Sequence, residues 1–472
     1  MALILLLVHL FIWLVALPHV LLQDKPPVTQ VGWLLGILAL PVIGVAAYVF
    51  FGTDRMRLQR EQRRAALANG SLEDFAVPPS AVVDPASLED AADTMLLRAI
   101  GWASGLPPTR GNTITELVDG PAFYRELETA IRQARHQVWI QVYVWRPDEV
   151  GAWMRDLLAE VARKGVAVYV LADELGSNAK QRFFAPLRAA GGHFSWTTTL
   201  HPRRNRWFFN LRNHRKVMLI DGTVGFVGGM NIGHEYVEGT PDGAWHDMQA
   251  RIEGPAVRQV ASLFVRDWFF ATREHLGVPE WAAQTRRTDE GTLLQVLAGG
   301  PDEGTSAIGI SLRAIIERAR ERLVLTTPYF VPDEQLVNDL VFAAVRGVAV
   351  TLCISSETDM GPMVLIGRTF YDRLLRAGVV IYEYGDDIHH SKCIVVDGRW
   401  AMVGSINLDS RSTSLNYEVG VLADDPALAA RVEELLAQRR GDTPPVDREQ
   451  FAGRSLRQRL IESSLRLLAP LL

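Results

Sequence analysis

Two short segments of the chain repeat one arrangement of residues that could act on a phosphate ester. In each, a histidine stands two residues before a lysine, an aspartate follows the lysine, and a glycine and an asparagine come next at matched distances. The two sets are His214, Lys216, Asp221, Gly228 and Asn231, and His390, Lys392, Asp397, Gly404 and Asn407. A single set could be scattered surface groups. The second copy at the same spacing therefore indicates a duplicated functional site.

The spacing suits a site built around one phosphate. Side chains at positions i and i+2 of a β-strand lie on one face, so we expect each histidine to project beside its lysine from a strand. One histidine could attack phosphorus and form a phosphohistidine, while the other protonates the leaving alcohol and deprotonates the incoming one. The lysines, with Asn231 and Asn407, would supply positive charge and hydrogen-bond donors. No metal-ligand signature accompanies the motifs, and we expect neither a metal nor another cofactor.

Two carboxylates stand at similar distances after the histidines, Asp247 in the segment TrpHisAsp and Glu418 in AsnTyrGlu. A catalytic histidine commonly needs a carboxylate that fixes its tautomer and stabilises the imidazolium. We therefore predict supporting roles for Asp247 and Glu418. Asp221 and Asp397 are each followed by glycine, so shaping a turn at the end of the strand is as consistent with their position as catalysis is.

The residues around the motifs indicate a duplicated α/β fold. Residues 137–149 and 322–334 are strand-like runs that both end in ProAspGlu, and each is followed by a stretch with helical periodicity and then by GlyValAlaVal. A strand, a helix and a second strand form a βαβ unit, which favours a parallel or mixed sheet. Because Pro147 and Pro332 are equivalent positions, the repeat has the size of a whole domain.

The first fifty residues differ from the rest. Residues 1–22 and 31–51 contain no charged side chain, and a membrane-spanning helix takes roughly 20 apolar residues. A signal peptide is the alternative for the first segment, but that segment lacks a basic start and a small-residue cleavage site. The second segment is followed by Arg55, Arg57, Arg60, Arg63 and Arg64. By the positive-inside rule, we expect a hairpin anchor with residues 23–30 exported and the remaining domains cytoplasmic.

The overall composition gives no general attraction to nucleic acid. Hydrophobic residues make up 48% and charged residues 22%, as in an ordinary folded protein, and the formal net charge is -5. Any affinity for phosphate must then come from local clusters of basic residues. Cys353 and Cys393 both lie in apolar runs, and we expect them in the core.

Positive charge is concentrated between residues 201 and 216, where five arginines alternate with three aromatic residues. Arg206, Arg212 and Arg215 are the predicted contacts with substrate or membrane, because basic and aromatic side chains suit an anionic bilayer surface. Single-stranded nucleic acid and a plain solvated loop are the alternatives. At the other end, residues 455–472 place leucines at helical spacing beside arginines. This pattern predicts an interfacial helix or a tail packed on the protein.

The duplicated motif resembles that of the phospholipase D superfamily, and within it the chain resembles the bacterial cardiolipin synthases. The resemblance rests on the two N-terminal spans and on the segments TrpArgProAspGlu, AsnHisArgLys, GlyGlyMetAsn, ArgIleGluGlyProAlaVal, ProTyrPheValProAspGlu and AsnLeuAspSerArgSer. It implies two α/β domains around a shared site, and transfer of a phosphatidyl group from one phosphatidylglycerol to another with release of glycerol. It also implies His214 as nucleophile and His390 as acid and base. Ser405 replaces Gly229 of the first half, so a serine that donated to the phosphate would make the half-sites unequal.

The sequence thus predicts an α/β protein with two phospholipase D-like α/β domains in a pseudo-two-fold arrangement, preceded by a two-helix transmembrane hairpin. The expected divisions are 1–52 for the hairpin, 53–110 for a basic segment and linker, 111–290 and 291–440 for the domains, and 441–472 for the tail. We expect a phospholipid substrate at the inner membrane, the lipid bilayer as a partner, and no nucleic acid. The alternatives are a membrane phospholipase D with water as acceptor and a phosphodiesterase acting on nucleic acid, against which the anchor and the acidic net charge argue.

Overall fold

The computed structural model of the chain describes residues 13–23, 25, 27–52, 75–197, 212–239, 245–277, 291–301, 306–358, 360–385, 387–467 and 469. Residues 13–21 are helical, and two helices follow, α1 (Pro27–Ala39) and α2 (Pro41–Ala47), with a π-helical turn over Tyr48–Gly52. The second predicted span is divided between α1 and α2, because Leu40 is not helical and Pro41 has no N–H to continue the helix. Throughout these ranges, no helix has both the length and the apolar character needed to cross a bilayer. Residues 1–12 of the first predicted span and the arginines at 55–64 lie outside the described residues.

The first half of the fold contains nine strands and six further helices within the described ranges. The strands are β1 (Thr109–Val118), β2 (Gln137–Val142), β3 (Ala167–Ala172), β4 (His193–Trp196), β5 (Arg212–Asn213), β6 (Val217–Ile220), β7 (Val224–Gly228), β8 (Trp245–His246) and β9 (Met248–Glu253). The helices are α3 (Ala91–Ser104), α4 (Asp119–Gln133), α5 (Glu149–Arg163), α6 (Glu174–Ser177), α7 (Ala185–Ala189) and α8 (Pro255–Thr272), with 3-10 turns at Pro79–Ala81, Pro85–Ser87, Gln181–Phe184 and His234–Tyr236.

The second half repeats this order. Its described strands are β10 (Thr292–Gly299), β11 (Arg322–Thr327), β12 (Phe330–Val331), β13 (Ala349–Ser355), β14 (Val380–Tyr384), β15 (Ile388–His389), β16 (Cys393–Val396), β17 (Trp400–Gly404), β18 (Leu408–Asp409) and β19 (Asn416–Asp424). Its described helices are α9 (Ala307–Arg318), α10 (Glu334–Val345), α11 (Pro362–Ala377), α12 (Ser410–Ser414), α13 (Pro426–Arg440), α14 (Arg448–Ala452) and α15 (Leu456–Arg466).

One mixed sheet runs through both halves and confirms the predicted duplication. Its order is β14-β13-β11-β16-β17-β19-β10-β1-β9-β7-β6-β2-β3-β4, with β5 attached to β19. The order reads the same from either end, since β4, β3, β2, β6, β7, β9 and β1 correspond to β14, β13, β11, β16, β17, β19 and β10. The halves meet where β1 pairs with β10 in antiparallel orientation. One apolar core crosses this junction, with Phe264 of α8 and Val432 of α13 among its buried side chains.

The predicted βαβ units are present in both halves, with β2 parallel to β3 and β11 parallel to β13. The repeated ProAspGlu segment begins the connecting helix each time. The Asp148 carboxylate accepts a hydrogen bond from the Gly151 N–H at 2.8 Å, and the Asp333 carboxylate accepts one from the Leu336 N–H at 2.8 Å. Both aspartates are therefore N-caps, which satisfy N–H groups that the first helical turn leaves without a partner.

The segment predicted as a linker contains an ordered helix. Asp90 caps α3 by accepting a hydrogen bond from the Ala92 N–H at 2.8 Å, and Leu96, Leu97 and Ile100 are buried in the core of the second half. Their spacing places these three side chains on one face of the helix. The linker interpretation is therefore wrong from residue 91 onward, because this short amphipathic pattern outweighs the preceding residues rich in alanine and proline.

Candidate active site

Each motif histidine is held by a strand from the opposite half. β5, just before His214, pairs with the start of β19, and the His214 N–H donates to the Tyr417 carbonyl at 2.9 Å. In the same way, β15 pairs with β8, and the His390 N–H donates to the His246 carbonyl at 2.7 Å. Sequence analysis predicted that the histidines project from strands. In the structure, both lie a few residues before the strands β6 and β16. The crossed pairing brings the two motifs to one junction.

The imidazole side chains follow the same crossed pattern. Nδ1 of His214 lies 3.0 Å and 3.1 Å from the two carboxylate oxygens of Glu418, and Nδ1 of His390 lies 2.7 Å from Oδ2 of Asp247. Both carboxylates are fully buried. Each motif histidine thus contacts the predicted carboxylate of the other half and not the one that follows it in its own half.

The two lysines make equivalent contacts with the backbone of their histidines. Lys216 donates to the His214 carbonyl at 2.8 Å, and Lys392 donates to the His390 carbonyl. Lys392 Nζ also lies 2.7 Å from Nδ1 of His390 and 3.9 Å from the Asp247 carboxylate. The exposed fractions of Lys216 and Lys392 are 0% and 1%. Two buried lysine amines therefore lie beside two histidines, an arrangement suited to an anionic ligand that would favour their protonated form.

Burial sets the protonation of the His214 half-site. Desolvation, together with the charges of Lys216 and Lys392, lowers the pKa of His214 to about 4 against the opposing effect of Glu418. Burial acts to raise the pKa of Glu418, but His214, Lys216 and Ser405 together outweigh that effect and the pKa is lowered. Burial also lowers the pKa of Lys216. At neutral pH, the imidazole is therefore neutral beside an ionised carboxylate. Because that carboxylate can only accept, Nδ1 carries the proton and Nε2 has the lone pair.

The two carboxylates have different surroundings, and Ser405 is part of the difference. The Ser405 hydroxyl donates to Glu418, and the Ser412 hydroxyl donates to the same carboxylate at 2.8 Å. At the equivalent position of the first half, a Cβ on Gly229 would lie 2.2 Å from the Asp247 carboxylate. Glycine is therefore required beside Asp247, whereas serine supports Glu418. Sequence analysis considered a Ser405 hydroxyl that donates to the phosphate. In the structure, this hydroxyl donates to the Glu418 carboxylate instead.

The two asparagines are also unequal. The Asn231 amide accepts from the Val144 N–H at 2.9 Å and donates to the Tyr236 hydroxyl at 3.1 Å, so its polar atoms are engaged within the first half. Asn407 is buried, and its Oδ1 has no hydrogen-bond partner among the described residues. A buried polar atom without a partner is costly unless a ligand or water satisfies it. Asn407 is therefore the asparagine with capacity for a substrate contact.

Asp221 and Asp397 make the contacts expected of the turn-shaping alternative. The Asp221 carboxylate accepts hydrogen bonds from the backbone N–H groups of Arg135, His136 and Gln137 at 2.8–2.9 Å. Asp397 accepts from the N–H groups of residues 320–322 in the same manner. Both aspartates have positive φ angles, 50° and 52°, and they lie at the far ends of β6 and β16, roughly 16 Å along the strand from the lysines. These carboxylates fix the starts of β2 and β11.

Two of the three arginines predicted to contact substrate or membrane, Arg212 and Arg215, are buried. Arg215 is only 3% exposed and ion-paired with Asp267 at 2.9 Å. It also donates to the carbonyls of Glu418 and Gly299, so it joins the two halves, and its predicted membrane contact is wrong. Arg212 is 5% exposed, and its Nη1 has no hydrogen-bond partner among the described residues, although Asp173 lies 3.9 Å away. Arg206 lies outside the described residues.

Aromatic side chains that sequence reasoning missed surround both histidines. The Tyr143 ring lies 5.0 Å from the His214 ring and 5.5 Å from Lys216 Nζ. Trp245 and Tyr329 lie 5.0 Å and 6.1 Å from the His390 ring. Tyr143 and Tyr329 belong to the repeated segments of residues 137–149 and 322–334 but are offset by one position when those segments are aligned, so the repeat alone does not mark them.

Family comparisons agree with this geometry. The sequence family described as "Cardiolipin synthase, PLD-like domain" matches residues 127–268 and 312–440, which include both sets of motif residues and the carboxylates Asp247 and Glu418. A second family, described as "Phospholipase_D-nuclease N-terminal", matches residues 11–52. The two matches of the first family correspond to the two halves of the sheet.

Individual relatives extend the match to nearly the whole chain. A cardiolipin synthase of Geobacillus kaustophilus is 34% identical over 459 residues, covering 96% of this chain and 90% of that protein. Cardiolipin synthase A of Pseudomonas fluorescens is 32% identical, with coverages of 98% and 96%. A crystal structure of phosphatidylserine synthase from Haemophilus influenzae has the same fold, with a TM-score of 0.61 at 18% identity, covering 80% of this chain and 98% of that one. The resemblance seen in the motifs is confirmed, and the chain belongs to the cardiolipin synthase family of phospholipase D-like proteins.

Proposed function

We propose that this protein joins two phosphatidylglycerol molecules into cardiolipin and releases glycerol. The observation that carries the proposal is the crossed contact of each histidine with the carboxylate of the other half, because it brings together the two histidines that are proposed as nucleophile and acid–base group. Membership of the cardiolipin synthase family supports a phospholipid substrate.

The reaction is proposed to have two displacements. Nε2 of neutral His214 attacks the phosphorus of the first phosphatidylglycerol, the bond from phosphorus to the glycerol oxygen breaks, and His390 gives a proton to that oxygen. A hydroxyl of the second phosphatidylglycerol then gives its proton to His390 and attacks phosphorus, and the bond from phosphorus to His214 breaks. Glu418 stabilises positive charge on His214, and Asp247 does so for His390.

Fixed charge is assigned to the lysines. Lys216 and Lys392 lie where negative charge builds on the phosphoryl oxygens, and an anionic diester bound beside Lys216 favours the protonated amine that burial disfavours. The Oδ1 of Asn407 is assigned to a headgroup hydroxyl. The Nη1 of Arg212, which has no hydrogen-bond partner among the described residues but lies 3.9 Å from Asp173, is assigned to the phosphate of the acceptor lipid, since arginine pairs well with phosphate oxygens. The two proposed displacements use only these side chains and need no cofactor.

A transferase must favour the lipid hydroxyl over water. Both histidines are at least nine-tenths buried, and such a site limits the number of water molecules beside the phosphohistidine. Positioning the acceptor in line with phosphorus then gives a large effective concentration of its hydroxyl. We therefore expect the covalent intermediate to pass its phosphatidyl group to phosphatidylglycerol before water reaches it.

The proposed reaction is tested by product analysis with the purified protein in membranes that contain labelled phosphatidylglycerol. We expect cardiolipin and free glycerol as the main products, with phosphatidic acid a minor one. Because one pair of diesters is exchanged for another, excess glycerol should drive cardiolipin back to phosphatidylglycerol. A dominant yield of phosphatidic acid that added glycerol does not change would identify the protein as a hydrolase.

The chain is proposed to be anchored through residues 1–52, with residues 53–90 joining the anchor to α3, which packs on the second half, followed by the domains at 111–290 and 291–440 and a tail over 441–472. The absence of charge in residues 1–22 and 31–51 supports the anchor, as does the match of a family of N-terminal segments to residues 11–52. The arginines at positions 55–64 favour a cytoplasmic location for both domains.

Cysteine labelling tests this topology. In cells of a strain that carries Thr29→Cys or Ser71→Cys, a membrane-impermeant thiol reagent added from outside should label position 29 and leave position 71 unlabelled. The native Cys353 and Cys393 are buried and give a low background. Labelling of position 71 but not 29 would reverse the orientation, and labelling of neither in intact cells but both in lysed cells would exclude the exported turn.

A further inference from the structure

The C-terminal helix covers a cavity far from the histidines along the chain. α15 packs against α11, and a cavity of about 260 Å³ remains between them and the loop before α15. Its lining is dominated by arginines and hydroxyl groups from these elements. They are Thr369, Arg376, Arg454, Arg459, Ser463 and Arg466. The catalytic proposal uses none of these residues.

Positive charge exceeds negative charge in this cavity. Asp372 and Glu462 also line it, but Asp372 is paired with Arg376 at 2.7 Å and the buried Glu462 is paired with Arg454. Arg466 contacts Glu334 at 2.9 Å. Arg459 has no carboxylate partner within the part of the chain that the structure describes. Three of the four arginines are thus paired with carboxylates, and the excess of one positive charge is Arg459, whose guanidinium can pair with an anion.

The outer face of α15 is apolar. Leu456, Leu460 and Leu467 are 70%, 58% and 80% exposed, and their spacing of four and seven residues places them on one side of the helix. The opposite side packs on the protein through Glu462 and the partly buried Leu465. An exposed leucine stripe beside a cationic cavity is the pattern of a helix that lies in a bilayer interface.

We propose that this cavity binds the phosphate of an anionic phospholipid while the leucine stripe of α15 enters the bilayer surface. The cavity is large enough for a phosphodiester headgroup, and Arg459 and Ser463 supply donors at its mouth. The charge complementarity selects an anionic lipid over a neutral one, and the leucines place the cavity at the depth of the headgroups. This site holds a lipid that does not react and keeps the protein on an anionic surface.

Only the choice of phosphatidylglycerol as the probe rests on the proposed function. The binding experiment uses a His214→Ala, His390→Ala background, so turnover does not alter the lipids. A failure of catalysis and a failure of this site are therefore separate results.

The test measures which lipid lies next to α15. An environment-sensitive fluorophore is attached at Ser464→Cys, an exposed position beside the leucine stripe, in full-length protein held in phosphatidylcholine nanodiscs. Spin-labelled phosphatidylglycerol or spin-labelled phosphatidylcholine is then included at the same mole fraction. We expect about twofold stronger quenching by the anionic lipid. Arg459→Gln and Arg459→Glu should both reduce the ratio to about one.

Arg457→Gln is the matched control, because Arg457 lies on the same helix but does not line the cavity. It should keep the preference for the anionic lipid. Equal loss of the lipid preference in the Arg457 and Arg459 variants would mean that only general surface charge matters, and it would overturn the proposal. Equal quenching by the two lipids in the labelled protein without an arginine substitution would also overturn it. Inorganic phosphate or glycerol phosphate should not remove the preference. If millimolar amounts of either remove it, the cavity takes a soluble phosphate and the lipid assignment is wrong.

Discussion

We expect His390→Ala to slow cardiolipin formation by about 100-fold to 10,000-fold and to leave a phosphatidyl group on His214. Without His390, the acceptor hydroxyl has no base, so an intermediate that forms slowly also persists. His214→Ala should form no such intermediate. The measurement is mass spectrometry of peptides after an alkaline quench, because phosphohistidine is stable in base.

Two outcomes would change the assignment. A phosphatidyl group found on His390 of the unmodified protein would exchange the two roles. A His214→Ala variant that still turned over at the rate of the unmodified protein would remove His214 from the chemistry. Arg457→Gln, a substitution on α15 away from the site, serves as the control for preparation and assay.

We expect Glu418→Gln and Asp247→Asn to act on opposite steps. Glu418 contacts His214, so Glu418→Gln should slow formation of the covalent intermediate, by roughly 100-fold or more. Asp247 contacts His390, so Asp247→Asn should slow the step in which the acceptor is deprotonated and should let the intermediate accumulate. Rapid-quench measurement of the first turnover separates the two effects.

A matched carboxylate outside the site provides the control. Glu433 pairs with the exposed Arg322 at 3.0 Å, and Glu433→Gln should leave both steps unchanged. The opposite pattern, with Asp247→Asn slowing intermediate formation and Glu418→Gln slowing its breakdown, would mean that each carboxylate serves the histidine of its own half in solution.

The sequence predicted the participants of the site better than their pairing. Two copies of one spaced motif pointed to His214, Lys216, His390 and Lys392, and the position of Asp247 and Glu418 after each motif marked them as partners. The exchange of partners depends on β5 and β8, which are strands of two residues each. So short a strand carries no periodic pattern, and its pairing across the halves cannot be inferred from spacing.

Arg215 shows a second limit of sequence reasoning. It belongs to a segment in which arginines alternate with aromatic residues, a pattern typical of a surface that binds anions. Its partner Asp267 lies on the buried face of α8, 52 residues further along the chain, and no spacing in the sequence pairs the two residues. A buried ion pair between distant segments can be recognised only when the fold brings them together. The basic–aromatic pattern therefore predicted a binding role for Arg215, which is structural, and the substrate contact proposed for Arg212 is still to be tested.

The stereochemistry at phosphorus tests the central claim most directly. Phosphatidylglycerol made chiral at phosphorus by isotopic or sulfur substitution is converted to cardiolipin, and the configuration of the transferred phosphorus is determined. Each in-line displacement inverts phosphorus, so attack by His214 followed by attack of the lipid hydroxyl should give net retention. Net inversion would mean a single direct displacement between the two lipids and would contradict a covalent intermediate on His214.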